Sequence, residues 1–305
     1  MLKILKDFWG ILKMAFEEFV SDNALKLSAS LSYYTIFSIA PLIIIIISLA
    51  GIFFGVDAVQ GRIYGQINGL VGNSAAVQIQ DIIKNVQKSQ SSQGGAIIGF
   101  IILMIGASGV FTEIQDSINF IWSVKAKPKK GWVKLIINRL LSFSLIASFG
   151  FLLLVSLMIN AIMDVLSDQL ISLFPNATVY LFYFLNMVLI FIIISCLFAI
   201  IFKVLPDAKI KWKDSFIGAF FTAFLFIIGK YLIGLYLANS NVGETYGAAA
   251  SIVLVLLWVY YSSIILYFGA EFTKMYALHF GGKIIPNDTA VFIVKQEVKE
   301  IDYSK

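Results

Sequence analysis

Charge is scarce in this chain. Of its 305 residues 13% are charged, about half the share found in soluble domains, while 59% are hydrophobic. That balance excludes a water-soluble globule and points to an integral membrane protein. Histidine and cysteine occur once each, as His279 and Cys196. A single histidine excludes a hydrolytic zinc site built on several imidazoles. A single cysteine excludes an internal disulfide, and Cys196, inside an apolar run, reads as a small buried apolar residue. No Gly-x-x-x-x-Gly-Lys-Ser/Thr phosphate loop occurs, nothing resembles a haem-ligating pair, and no polar stretch is large enough for a kinase or nuclease domain. Residues 1–26 carry four lysines and no long apolar core, so no cleavable signal peptide is expected there. These absences lead us to expect no metal, no cofactor and no catalysis. The net charge of +5 is distributed by membrane topology, so no nucleic-acid partner is expected, and membrane lipids are.

What the chain has is long apolar runs. A spanning helix needs about 20 mostly apolar residues. Six segments qualify, at about 28–55, 94–111, 139–163, 179–202, 215–237 and 247–270. Lys and Arg sort cleanly between the connections: nineteen fall on one side, only Arg62, Lys84 and Lys88 on the other, and Lys230 lies inside a span. Such a bias marks the lysine-rich side as cytoplasmic. The expected fold is an all-α polytopic membrane protein with six transmembrane helices and both ends in the cytoplasm. Residues 1–27 form a cytoplasmic amphipathic helix, because Phe8, Ile11, Leu12, Ala15, Phe16 and Phe19 recur at helical spacing and would lie in the interface plane. Residues 28–282 form the transmembrane domain, with a long external loop at 56–93. Residues 283–305 form a cytoplasmic tail. The apolar row Ile114, Ile118, Ile121 and Trp122 continues the second span into the cytoplasm.

The first span begins as a hydroxyl-rich helix, Ser32, Tyr33, Tyr34, Thr35 and Ser38, and passes Pro41 into a wall of isoleucine. Pro41 removes one backbone hydrogen bond and crowds the preceding turn. A polar half-helix in a membrane faces either a cavity or a close helix neighbour. Lys230 is an ionisable group within a span, a functional candidate by default, against the plainer reading of a snorkelling or ion-paired lysine. Trp258 and Tyr261 lie mid-span rather than in an interfacial belt, where they line a pocket or fill the core. These nine residues are the candidate substrate cavity. A second candidate is a cytoplasmic polar cluster of Glu113, Gln115, Asp116, Asn119 and Glu271, a gate or a docking surface for loop 203–214. Glu271 itself reads most simply as an interfacial pair with Lys274. Glycines at 95, 99, 106 and 109 make the second span a close-packing helix, through which a homodimer is one arrangement the chain allows.

Several blocks together resemble the YihY/virulence factor BrkB family of bacterial inner-membrane proteins. They are Leu31-Ser-Tyr-Tyr-Thr-Ile-Phe-Ser-Ile-Ala-Pro41, the stretch from Gly106-Ala-Ser-Gly109 to Trp122, and Tyr246-Gly-Ala-Ala-Ala-Ser251. Leu257-Trp-Val-Tyr-Tyr-Ser-Ser263, Gly269-Ala-Glu-Phe-Thr273, Leu205-Pro-Asp207 and Gly229-Lys230 complete the set. The resemblance covers about residues 5–282 and implies six transmembrane helices in the bacterial cytoplasmic membrane. Some members were once labelled ribonuclease BN; the sequence shows no clustered ligands for a metal-dependent nuclease, which disfavours that activity here. The resemblance implies an envelope role and suggests transport; with the polar half of the first span, Lys230 and the mid-span aromatics, the expectation is a transporter or exporter of an organic anion, lipid or amphiphile, or alternatively a non-transporting scaffold for envelope assembly.

Overall fold

The computed structural model describes residues 2–38, 77, 109–127, 175–239, 246, 250–280 and 282–295. Of the expected spans, 28–55 beyond residue 38, 94–111 before residue 109, and all of 139–163 lie outside the described residues, as do the external loop 56–93 apart from Val77, Pro41 and residues 296–305.

The described chain is mostly helical. Helix α1 spans Leu2–Ser21, α2 residues 24–38 and α3 residues 109–121. Helices α4 (Pro175–Val204), α5 (Trp212–Ala238) and α6 (Ala250–His279) follow. Each of these last three contains a segment long and apolar enough to cross a membrane: Met187–Val204, Trp212–Leu237 and Ile252–His279. At 1.5 Å per residue α6 is about 45 Å long, more than the roughly 30 Å hydrocarbon layer, so its ends project. Phe216, Phe220, Phe224, Ile228, Leu232 and Leu235 expose a continuous apolar stripe on α5. A soluble monomer seldom shows such a patch; acyl chains accommodate it.

Local chemistry explains where the helices stop. Pro175 opens α4, where its missing N–H costs nothing. Pro206 restricts Leu205 and ends α4 at Val204. Asp214 stands in the first turn of α5, where a carboxylate meets the positive end of the helix dipole. Between α1 and α2, Asn23 takes a positive φ of 53°, which asparagine tolerates better than most residues. That corner turns Asp22 inward.

The main core joins Leu31 of α2, Phe111, Ile114, Ile118 and Ile121 of α3, Phe198 and Phe202 of α4, Ala219 and Ala223 of α5, and Leu266 and Tyr267 of α6. A second cluster holds Ile11 and Ala15 of α1 against Phe272 and Met275 of α6. The amphipathic stripe of α1 is therefore split. Ile11, Ala15 and Phe19 are buried, whereas Phe16 stays exposed along with Trp9. An interfacial helix was expected; the structure docks its inner row on α6 and leaves only the outer row for a lipid surface.

The tail departs furthest from a purely helical expectation. Strands β1 (Val124–Ala126), β2 (Ala208–Lys209), β3 (Ile285–Pro286) and β4 (Ala290–Phe292) form two antiparallel ladders, β1 with β4 and β2 with β3. Residues 282–295 thus form a strap that returns over the ends of α3 and α4.

Candidate functional site

Helices α5 and α6 meet along a reciprocal seam. A Cβ at Gly218 would lie 2.8 Å from Thr273 Cβ, and one at Gly269 would lie 2.8 Å from Thr222 Cβ. Each threonine sits four residues after a glycine of its own helix and donates its hydroxyl to that glycine's carbonyl, at 2.7 Å for Thr222 and 2.6 Å for Thr273. Small residues allow this close approach, the usual basis of helix association in lipid. The seam continues to Gly229, where a Cβ would lie 2.8 Å from the Tyr261 ring.

That contact positions the embedded candidates. Lys230 follows Gly229 and is half-buried, with Nζ 5.6 Å from the centroid of the Tyr231 ring. Tyr261 packs on Gly229 beside it. Trp258 stands edge-on to Phe226, ring centroids 6.1 Å apart, and its buried Nε1–H finds no acceptor among the described residues. Lys230 lies eight residues before the end of α5, about 12 Å along its axis.

On α2 the serines are buried more deeply than the aromatics. Ser28, Ser32 and Ser38 are buried. Ser32 donates to Ala29 O at 2.8 Å, Thr35 to Leu31 O at 2.7 Å and Ser38 to Tyr34 O at 2.9 Å. These hydroxyls therefore spend their protons on their own helix and turn only lone pairs outward. Tyr33 is 60% exposed and packs edge-on to Tyr34 and Phe37. Tyr34 closes on Gly109 at the start of α3. Ser32 and Tyr33 thus point to different sides of α2, while Tyr34 and Ser38, four residues apart, lie along the same side.

The polar cluster of α3 divides in two. Gln115 and Asn119 are buried and grip Asp207 in the loop after α4. Gln115 Nε2 donates to its carboxylate at 3.2 Å and Asn119 Nδ2 at 2.8 Å, while Asp207 N–H donates to Asn119 Oδ1 at 2.8 Å. The strap joins this latch through Asn287 N–H, which donates to Asp207 O at 2.9 Å. Asp116 faces outward, on a surface cavity of about 480 Å³ shared with Asn119, Phe120, Lys125 and Ile293. Glu113 is half-buried. Glu271 belongs to neither group.

Glu271 lies instead at the α1–α6 junction, fully buried. Lys274 Nζ is 3.3 Å from its Oε2 and 2.7 Å from Glu18 Oε2. Asp22, also buried, pairs with Lys295 of the strap at 2.5 Å, and the Lys295 ammonium lies 4.1 Å from the Phe120 ring centroid. Carboxylate oxygens of Glu18, Asp22 and Glu271 come within 4.8 Å of one another. Trp122 anchors the same region by donating Nε1–H to Ala270 O at 3.1 Å. The sequence reading of Glu271 as a simple pair with Lys274 misses Glu18, Asp22 and Lys295, which come from distant segments. No run of clustered ligands is visible in the sequence; folding gathers three carboxylates all the same.

Comparison with known proteins places this architecture. The profile of the family described as Virulence factor BrkB matches residues 15–289. The chain belongs to the virulence factor BrkB family. Similar relatives are the UPF0761 membrane proteins of Saccharophagus degradans and Azotobacter vinelandii. The first is 27% identical over 270 residues, 86% of this chain and 58% of the relative. The second is 29% identical over 277 residues, 87% of this chain and 62% of the relative. A third, from Pseudoalteromonas atlantica, is 26% identical over 265 residues, 86% of this chain and 84% of the relative. The chain spans about three-fifths of the length of the first two relatives. No solved structure matches it. Within this BrkB-family chain the latch, the seam and the three carboxylates of the junction fall inside the matched residues, while Lys295 lies beyond them.

Proposed function

We propose that this BrkB-family chain moves an organic anion, a lipid or another amphiphile across the bacterial cytoplasmic membrane, as a six-span protein with both ends in the cytoplasm. The observation that carries the reading is Lys230. A cation inside an apolar span is costly, up to about 2.5–3.5 kcal/mol at the helix centre on insertion scales. Lys230 is held half-buried at the point where Gly229 and Tyr261 bring α5 and α6 together. An ammonium there offers an anionic headgroup or carboxylate a binding partner, and the exposed rings of Tyr231 and Tyr236 offer its apolar part a surface. No phosphate loop occurs, so energy comes from an ion gradient or a partner protein.

The test is transport by purified protein in liposomes, across a panel of anionic lipids and amphiphilic anions. Lys230→Met should fold normally and lose movement of the cargo, while Lys230→Arg should retain part of it. Full activity in Lys230→Met refutes the role of this residue. No movement of any cargo by well-folded protein refutes transport itself. A non-transporting scaffold for envelope assembly is favoured by one observation, the interlocked Gly218–Thr273 and Gly269–Thr222 seam. A chain that binds envelope components but transports nothing would decide for it.

A further inference from the structure

The α1–α6 junction holds an unbalanced charge. Glu18, Asp22 and Glu271 bring three carboxylates within 4.8 Å of one another. Lys274 and Lys295 supply two ammoniums, the first on Glu18 and Glu271, the second on Asp22. Among the described residues one negative charge is left over. The surplus has an address: Glu271 is 0% exposed, and its Oε1 accepts no hydrogen bond from any described residue. A buried carboxylate oxygen without a donor is costly to maintain. Asp22 is almost as deeply buried, and only Glu18 reaches the surface, with 45% of its side chain exposed. The donors are all oxygens, which suits a hard cation or a proton and not a soft metal. Two ammoniums already stand in the cluster, so a divalent ion would leave it with a surplus of positive charge, whereas a single positive charge neutralises it.

We propose that Glu18, Asp22 and Glu271 form a site for one monovalent cation, a proton or an alkali ion, which clamps α1 onto α6. Among the described residues, the groups facing the site are Glu18 and Asp22 from α1 and its corner, Glu271 and Lys274 from α6, and Lys295 from the strap. Glu18 is the entry. The site stands on its own geometry; its role as the binding place of a coupling ion rests on the transport reading above. By the 1.5 Å rise it lies about 15 Å along α6 from the level of Lys230 and Tyr261, so cation and cargo would occupy separate positions of one helix pair.

The test reads binding and needs no cargo, so its failure is distinct from a failure of transport. The full chain in nanodiscs is melted at constant ionic strength, with choline chloride replaced by sodium, potassium or magnesium chloride, over a series of pH values. A bound cation stabilises the state that binds it. In choline, the midpoint of the wild type should rise by at least about 2 °C as pH falls if the cation is a proton; at alkaline pH it should rise similarly with sodium or potassium if it is an alkali ion. Glu271→Gln removes the surplus charge. It should abolish either response and melt in choline as the cation-loaded wild type does; Asp22→Asn should act in the same direction. A wild type indifferent to pH and to every salt overturns the proposal. So does a response to magnesium alone, or an undiminished response in both variants. Should either variant fail to fold, the wild-type series and the other variant decide.

Discussion

Gly269→Ala should separate α5 from α6. The added Cβ would lie 2.8 Å from Thr222 Cβ, whereas saturated carbons rest at about 3.5–4.0 Å. Either the helices part by about 1 Å at this level, or Thr222 rotates and gives up its 2.7 Å hydrogen bond to Gly218 O. Overpacking of this kind costs about 1–3 kcal/mol. Against it stands the helix propensity of alanine over glycine, about 1 kcal/mol. Gly234, on the same helix pair, isolates that second effect, because a Cβ there meets no atom within 4 Å. Gly234→Ala should therefore be neutral or stabilising, and Gly269→Ala should melt below it by about 1–3 kcal/mol, read as a difference of at least about 2 °C in thermal midpoint. Adding Thr222→Ala to Gly269→Ala should recover much of the loss, giving a non-additive cycle. The seam as described is refuted if Gly269→Ala melts at or above Gly234→Ala, or if the double variant shows no coupling.

Two further outcomes concern the strap end. Asn119→Ala removes both a donor to the Asp207 carboxylate and the acceptor of its N–H; it should cost about 1–3 kcal/mol and speed amide exchange across residues 205–211, and unchanged protection there would refute the latch. Lys295→Met removes the partner of buried Asp22 and the cation over Phe120; exchange at Val291–Ile293 should rise while α5 and α6 keep theirs, and a strap as protected as before would show that the ladders alone hold it.

Some of this architecture was legible and some was not, for physical reasons. The membrane-crossing character of α4, α5 and α6 follows from composition over 27 to 30 residues, a signal no local detail cancels. The buried rows of α1 and α3 follow from helical periodicity, since Ile11, Ala15 and Phe19, and Ile114, Ile118 and Ile121, recur every three or four residues. Docking of this cluster on loop 203–214 is among the sequence expectations, and Gln115 and Asn119 do meet Asp207 there; their full burial carries no periodic signal. Polar residues on the far side of an amphipathic helix look solvated, and their partner Asp207 is about ninety residues away. The strands escaped for the same reason, because segments of two or three residues carry no period and exist only through partners elsewhere in the chain. The offset of Tyr33 from Ser32 follows from 100° per residue, whereas the depth of each side chain depends on what packs against α2. Glu271 was noticed for its spacing to Lys274; its full enclosure, the property that matters, is a matter of what α1 does.

The pairing of Asp22 with Lys295 bridges 273 positions of sequence. A ring that large closes late, because its entropy must be lost before the contact returns anything. On the ribosome, α1 and α6 would already have emerged with Asp22 still lacking its counter-charge. Maturation of this corner of the molecule thus waits until Lys295 has been made, and a nascent chain arrested before that residue would keep Asp22 without its counter-charge.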